Sequence, residues 1–356
     1  MHLVKRFLRI NPILSDGIFS KAVVFTDLHF GRSGNSPVAN QDNADFLLWA
    51  IDRARSWDAE TCIFCGDYFD NRHSIGVLTM NAALCGLELI DKSFKRTLML
   101  LGNHDLPYRE NRSSSSVEIA RNFDNIQIIK SPLISGDVAL LPWLVDGEQK
   151  ILKTVKSRYV FAHLEMSGFM LNSKVTMPPG EDVADAADFS GPEYVFSGHF
   201  HARQRKLVGQ TNIIYLGNVM PFDFSDAWDA ERGIMLLEWG HDPVFEAWPD
   251  QPLFRTTSLS KILDNPDAIL CSRASVRAIT DVTLHSEEAQ EIRNALVTDY
   301  GLRKFELIPQ AEAGMEYIET EVVFKTVDQM VVEGIQSVDS RDISPARLIE
   351  IYRSLA

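Results

Sequence analysis

Six short apolar runs, each breaking off at polar or glycine residues, constrain this chain more than any other feature. They occupy residues 22–26, 61–65, 97–101, 158–162, 193–197 and 212–216. Continuous runs of this length suit strands buried on both faces, which carry no wet side and so show no alternation. Between the first two runs, Phe46, Leu47, Ala50, Ile51 and Ala54 recur at helical spacing and predict a helix over 42–56. A second helix is expected over 80–90. Strands alternating with helices or loops imply a layered α/β domain.

Chemistry-bearing residues begin where the runs stop. Asp27 and His29 follow the first run, and Gly66, Asp67 and Asp70 follow the second. Gly102, Asn103, His104 and Asp105 follow the third, His163 the fourth, and Gly198, His199 and His201 the fifth. Loops past the carboxyl ends of such strands converge on one crevice. Asp-x-His in a turn offers a carboxylate and an imidazole to one cation. His-x-His at an extended strand end places both rings on one side, because the period there is two. Asp67 can bridge two cations, Asn103 offers a carbonyl oxygen and His163 a further nitrogen. Seven mixed ligands exceed the needs of one tetrahedral zinc. They suit two ions of the manganese, iron or zinc kind. Such a pair, ~3.5–4 Å apart, can generate a hydroxide and clamp a phosphoryl group. Five of the nine histidines lie in these motifs, leaving His2, His73, His241 and His285 outside them.

The ordered set Asp-x-His, Gly-Asp-x-x-Asp, Gly-Asn-His-Asp, His and Gly-His-x-His, spread over residues 21–240, resembles the calcineurin-like metallophosphoesterase superfamily. The resemblance implies a layered α/β/β/α sandwich. Asp27, His29 and His201 would hold one metal, Asn103, His163 and His199 the other, and Asp67 would bridge them. His104 would sit over the scissile phosphate as general acid or charge stabiliser, with Asp70 paired to it and favouring its imidazolium.

Within the superfamily, Gly-Asn-His-Asp, the later Tyr215-Leu-Gly-Asn218 and an appended α+β segment resemble the SbcD-type DNA repair nucleases. The size is similar to that of the small subunit of the recombination endonuclease of large tailed phages. That resemblance implies two Mn2+ ions, 3′→5′ exonuclease action on duplex DNA and endonuclease action on single strands. It also implies a homodimer through the nuclease domain and an SMC-like ATPase partner. Many enzymes of that type carry a histidine where this chain has Asp70, a form common in phosphatases. His73 is an alternative imidazole three residues on. Hydrolysis of a small phosphodiester or phosphomonoester therefore stands as a second reading, and a non-catalytic DNA-tethering subunit as a third.

The remaining chain divides by composition. Residues 1–20 precede the first run as an extension, and 21–250 form the expected metallophosphoesterase domain. Two prolines at Pro249 and Pro252 mark a boundary. The expected α+β capping domain over 251–340 has strands at 269–280, 304–308 and 317–325 and helices at 286–300 and 328–338. The closing segment, 341–356, carries a helix begun by Ser344 as N-cap and Pro345 at the first position. Its apolar residues Leu348, Ile351, Tyr352 and Leu355 recur at helical spacing, so residues 344–355 are the candidate docking segment for the ATPase.

Charge argues against a protein that coats nucleic acid. There are 35 Lys and Arg against 49 Asp and Glu, a formal charge of −14. The cations nevertheless cluster by sequence near the motifs. Arg32, Arg109, Arg112, Arg203, Arg205 and Lys206 are candidates for a local phosphate-binding rim. Weak, salt-sensitive DNA binding is expected, with grip supplied by a partner. Cys62 and Cys65 lie in a strand and are expected to face opposite cores rather than form a redox pair. Four cysteines in this length, with no apolar stretch long enough for a secretory signal or a membrane span, point to the cytoplasm, the host's if phage-encoded.

Overall fold

Alternate residues of the first strand face two different cores, and this decides the architecture. The computed structural model describes residues 18–309 except 146, 172–174, 181–182, 228 and 230, together with residues 335 and 344–354. Strand β1 (Lys21–Phe25) sends Val23 and Phe25 toward Phe46, Leu47 and Ala50 of a helix. It sends Ala22 and Val24 toward a second sheet, against Tyr159, Phe161 and Phe196. A strand with an apolar core on each side shows no polar alternation, which explains its unbroken hydrophobicity.

The first sheet contains β1, β2 (Thr61–Phe64), β3 (Arg96–Leu100) and β4 (Ile126–Ile129), all parallel. The second sheet is built from β5 (Leu133–Ser135), β6 (Val138–Leu141), β7 (Tyr159–His163), β8 (Tyr194–Gly198), β9 (Gln204–Val208) and β10 (Thr211–Tyr215), in the order β5-β6-β7-β8-β10-β9. β11 (Gly233–Glu238) and β12 (Val244–Ala247) return to the first sheet, where β11 runs antiparallel beside β1. The order there is β12-β11-β1-β2-β3-β4. A short turn, α1 (Arg32–Asn35), leads into α2 (Pro37–Ser56), and α2 packs with α3 (Val77–Ser93) on the outer face of the first sheet. α2 begins five residues before the expected start because Ser36 caps it, its hydroxyl accepting from the Ala39 N–H, and Pro37 opens the first turn. The outer face of the second sheet is covered by Leu152 and Val155 around the 3₁₀ turn Glu148–Thr154, and by Phe169 and Phe189.

A three-stranded parallel sheet follows, made of β13 (Phe254–Ser258), β14 (Ser275–Thr280) and β15 (Lys304–Pro309). It packs with α4 (Leu259–Asp264), α5 (Pro266–Ile269) and α6 (Ser286–Tyr300) around Leu259, Ile262, Val276 and Phe305. The strand expected over 269–280 begins only at Ser275, because Asn265 caps a helical turn opened by Pro266. α6 ends at Gly301, whose φ of 60° is the left-handed conformation of a helix terminus. The expected strand at 317–325, nearly all of the expected helix at 328–338 and residues 1–17 of the extension lie outside the described residues. α7 (Pro345–Ser354) starts behind Ser344, whose hydroxyl accepts from the Arg347 N–H. No helix among the described residues is long and apolar enough to cross a membrane.

Candidate metal centre

The strand ends are held in backbone conformations that ordinary residues avoid. Asp27, His29, Asp67 and His199 have φ of 54°, 50°, 60° and 94°. Each such residue costs of order 1–3 kcal/mol and persists only where its surroundings over-determine it. They do so here. Past the end of the β1–β2 ladder, the Asp27 N–H donates to Gly66 O at 2.9 Å and the His29 N–H to Asp67 O at 3.1 Å. Asp105 fastens a third loop to these. One of its carboxylate oxygens accepts from the Asp67 and Gly102 N–H groups at 3.0 and 2.9 Å, and the other from the Tyr68 N–H at 2.9 Å.

The structure brings the motif side chains into two adjoining ligand sets, with ligand atoms of His29, Asp70 and His104 also within 4.8 Å of one another. Asp27, His29 and His201 form one, their ligand atoms within 4.8 Å of one another. Asp67, His163 and His199 form the other by the same measure. Asn103 Oδ1 lies inside the second set, 3.1 Å from His163 Nε2 and 2.9 Å from His199 Nδ1. Asp67 Oδ2 faces both sets, at 3.3 Å from His163 Nε2 and 3.7 Å from His29 Nε2. Its other oxygen accepts from the His104 N–H at 2.7 Å. Asp27 Oδ1 and His29 Nε2 are buried without a hydrogen-bond partner, and they stand 3.5 Å apart. That is close to the separation of two donors each ~2.1 Å from one ion. Orphaned ligand atoms at that spacing, with Asp67 between the two sets, fit two divalent cations. When bound, these would activate water and neutralise charge developing on a phosphoryl group.

The electrostatics show the same demand for positive charge. Burial opposes ionisation of Asp27, but the neighbouring His29 ring and the charge of His163 offset it and hold the carboxyl at about 2. Asp67 is held well below the usual carboxylate range, burial again being outweighed by His163 and His29. Burial pulls His29 down, yet the adjacent carboxylates of Asp27, Asp70 and Asp67 push it up to about 10. The same balance takes His163 to about 9. Burial keeps His199 low and holds His201 at about 4.

Two expectations need correction. The Asp70 carboxylate does not pair with His104. It faces His29, with Oδ1 3.3 Å from Nδ1. Only the Asp70 backbone carbonyl meets His104, accepting from Nδ1 at 2.6 Å. The bond still fixes the tautomer and leaves Nε2 available. The His104 imidazolium is not favoured on balance, since burial, then the charges of His29 and Arg72, lower its pKa against the pull of Asp67 and of the Asp70 carbonyl. His73 is exposed and lies outside both sets.

The expected cationic rim is thinner than its sequence. Arg32 is buried, its guanidinium donating to Asn43 Oδ1 at 2.6 Å and stacking 4.6 Å over Phe222. Arg112 is tied inward to Glu148 and, at 2.7 Å, to Trp143 O. Neither presents its charge to solvent. Arg203 pairs with Glu231 at 3.2 Å, while Arg205 and Lys206 lie exposed on edge strand β9. Arg109 stacks 4.7 Å over Trp143, with Glu165 3.7 Å away.

Sequence reasoning missed Glu165, Trp143 and Phe222. Glu165 Oε1 lies 3.3 Å from His199 Nε2, and the Trp143 ring is 5.2 Å from that of His199. Phe222 packs against His29 and His201 at 5.4 and 5.3 Å. Of the three, only Glu165 carried a signal, standing two residues beyond His163 in the same strand-end loop.

No curated protein sequence matches the chain. Among solved structures it is similar to a dimetal phosphatase from Danio rerio, at 12% identity and a TM-score of 0.41, over 61% of this chain and 92% of that one. It is similar to an archaeal phosphodiesterase at 12% identity and a TM-score of 0.33, over 63% and 99% of the two chains. The Pseudomonas putida nuclease MPE is similar at 16% identity and a TM-score of 0.30, over 54% and 72%. The calcineurin-like phosphoesterase family model matches residues 20–203, the stretch that holds the strand-end loops from Asp27 to His201. With those loops gathered at one centre on a two-sheet α/β sandwich, the chain belongs to the calcineurin-like phosphoesterase family.

Proposed function

We propose that the chain is a two-metal DNA phosphodiesterase, using Mn2+ as a 3′→5′ exonuclease on duplex DNA and an endonuclease on single strands. In this reading it works in DNA recombination and repair in the cytoplasm, as a homodimer, beside an SMC-like ATPase docked through residues 344–355. The observation that carries the phosphodiesterase reading is the setting of His104. Its backbone N–H is bound to Asp67, its Nδ1 to Asp70 O, and its ring lies 4.8 Å from that of His29. A ring fixed on one nitrogen beside the ligand sets aims Nε2 at the place of the leaving oxygen, and the imidazolium, which the negative charge of a bound phosphate favours, can give it the Nε2 proton. DNA as the substrate is supported by the motif set, the appended small sheet, the exposed cations Arg205 and Lys206 and the half-buried Arg109. A small phosphoester substrate is the second reading, favoured by the inward pairing of Arg32 and Arg112, which removes two cations from the rim.

The test is turnover in Mn2+ of a DNA hairpin, a cyclic nucleotide and a phosphomonoester, side by side. DNA should be preferred, and preference for the monoester would establish the second reading. His104→Ala should bind the same two ions and lose ~10²–10⁴-fold in cleavage. Wild-type cleavage by that variant would overturn the role of His104. Deleting residues 344–356 should abolish co-purification with the ATPase, and survival of the complex would remove the docking assignment.

A further inference from the structure

We propose that Glu165 is the positioning residue for His199, and that it sets how firmly the second half of the metal centre holds its cation. The inference rests on the two-metal reading. An imidazole that ligates through one nitrogen carries a proton on the other, and the partner of that proton sets the ring's tautomer and direction. Two other rings have their far nitrogen hydrogen-bonded, and a third has a carboxylate beside it. His163 Nδ1 meets Cys65 O at 2.6 Å, His104 Nδ1 meets Asp70 O at 2.6 Å, and His29 Nδ1 faces the Asp70 carboxylate at 3.3 Å. For His199 that partner is Glu165. His199 Nδ1 points to Asn103 Oδ1 inside the second set, and Nε2 faces Glu165 Oε1 at 3.3 Å.

The carboxylate is itself fixed. The Glu165 carbonyl accepts from the Ala184 N–H at 2.9 Å, and Oε2 faces Arg109 Nη2 at 3.7 Å. The Arg109 guanidinium lies on Trp143, whose indole N–H donates back to Arg109 O at 2.9 Å and whose ring packs on His199. Contacts thus close a circuit around the His199 ring. Within the second set the ring is the more open of the two, its side chain 13% exposed where that of His163 is 0%. Close packing holds His163, whereas His199 sits on a left-handed backbone nearer solvent and depends on its carboxylate.

The experiment titrates metal-free protein with Mn2+, following free ion by electron paramagnetic resonance, for the wild type, Glu165→Ala and Glu165→Gln. The wild type should take two ions. Glu165→Ala should keep one site at wild-type affinity and lose 10–100-fold at the other, roughly the effect of removing such a partner. Glu165→Gln keeps an acceptor oxygen and should recover most of the loss. Hydrolysis of bis(p-nitrophenyl) phosphate by Glu165→Ala should return to the wild-type kcat in excess Mn2+. Unchanged affinity at both sites would overturn the inference alone. Equal weakening of both sites with a lowered Tm would also overturn it, as a merely structural effect. A wild type that takes fewer than two ions would overturn the two-metal reading and this inference together.

Discussion

In the metal-free protein, His29 and His163 carry charge that bound cations would replace. With pKa values of about 10 and about 9, both rings are protonated at pH 7.5, yet each must be neutral to ligate. Loading two cations at that pH should therefore release about two protons. Calorimetry in two buffers of different ionisation enthalpy measures the release directly, and a value near zero would contradict the assignment. Apparent Mn2+ affinity should rise with pH up to about 10. The sign for folding is opposite. A histidine with a raised folded pKa contributes stability that is full below its unfolded value of 6.5 and lost as pH rises through 9 to 10. The metal-free protein should thus melt lower at pH 9.5 than at pH 6.5. At this scale the residue types of the centre were legible, and their pairings were not. Asp70 and His104 stand near each other in the motif order, but the loop turns so that the carboxylate reaches His29 and only the carbonyl reaches His104. Spacing does not encode which way a left-handed residue such as Asp67 sends the chain. Glu165 was missed although it stands two residues beyond His163, because that spacing alone does not say that the fold brings it to His199.

The strands were the most legible elements, because burial on both faces removes polar residues from them. Cys62 and Cys65 show how far the period-two argument carries, since one packs in the core under α2 and α3 and the other between the sheets. One residue beyond the end of β8 the argument loses its footing, because His199 has left the extended conformation on which a period of two depends. The glycine that ends β8 explains how the loops come so close. A Cβ on Gly198 would lie 2.7 Å from Cys65 O and 2.8 Å from His163 Nδ1, and would strike the Thr26 hydroxyl. It occupies the crossing of β8 with the ends of β1, β2 and β7. Gly198→Ala must push His163 off its carbonyl partner, so it should destabilise the fold by about 1–3 kcal/mol. It should also weaken Mn2+ binding at the second set. Urea unfolding and metal titration check both effects, and a variant with wild-type values for each would show that the crossing has slack.

Across the whole molecule, a buried acid on α2 ties the small sheet to the metal-bearing sandwich. Asp42 accepts from Arg303, at 2.6 Å to Nη1 and through Nη2 as well, and Arg32 reaches it at 3.4 Å. Arg273 lies 3.9 Å away and pairs with Asp45 at 2.7 Å. Arg303 and Arg273 flank β15 and β14, whereas Arg32 stands three residues past His29 and stacks on Phe222, the ring behind His29 and His201. The seat of the small sheet and the backing of the first ligand set therefore share one carboxylate. The formal charge of −14 concealed this, since it counts as surplus an acid already spoken for by arginines from two parts of the chain. Asp42→Asn keeps the size but leaves three guanidinium groups converging without their central anion, one of them buried. Breaking a buried ion pair in this way costs about 3–5 kcal/mol. Arg303→Ala removes one exposed-side partner and leaves Asp42 bound to Arg32, so it should cost less than half as much. Chemical denaturation of the two variants decides the order. If Asp42→Asn proves no worse than Arg303→Ala, the carboxylate is not the shared anchor, and the small sheet is held by apolar contacts such as Phe224 on Phe254.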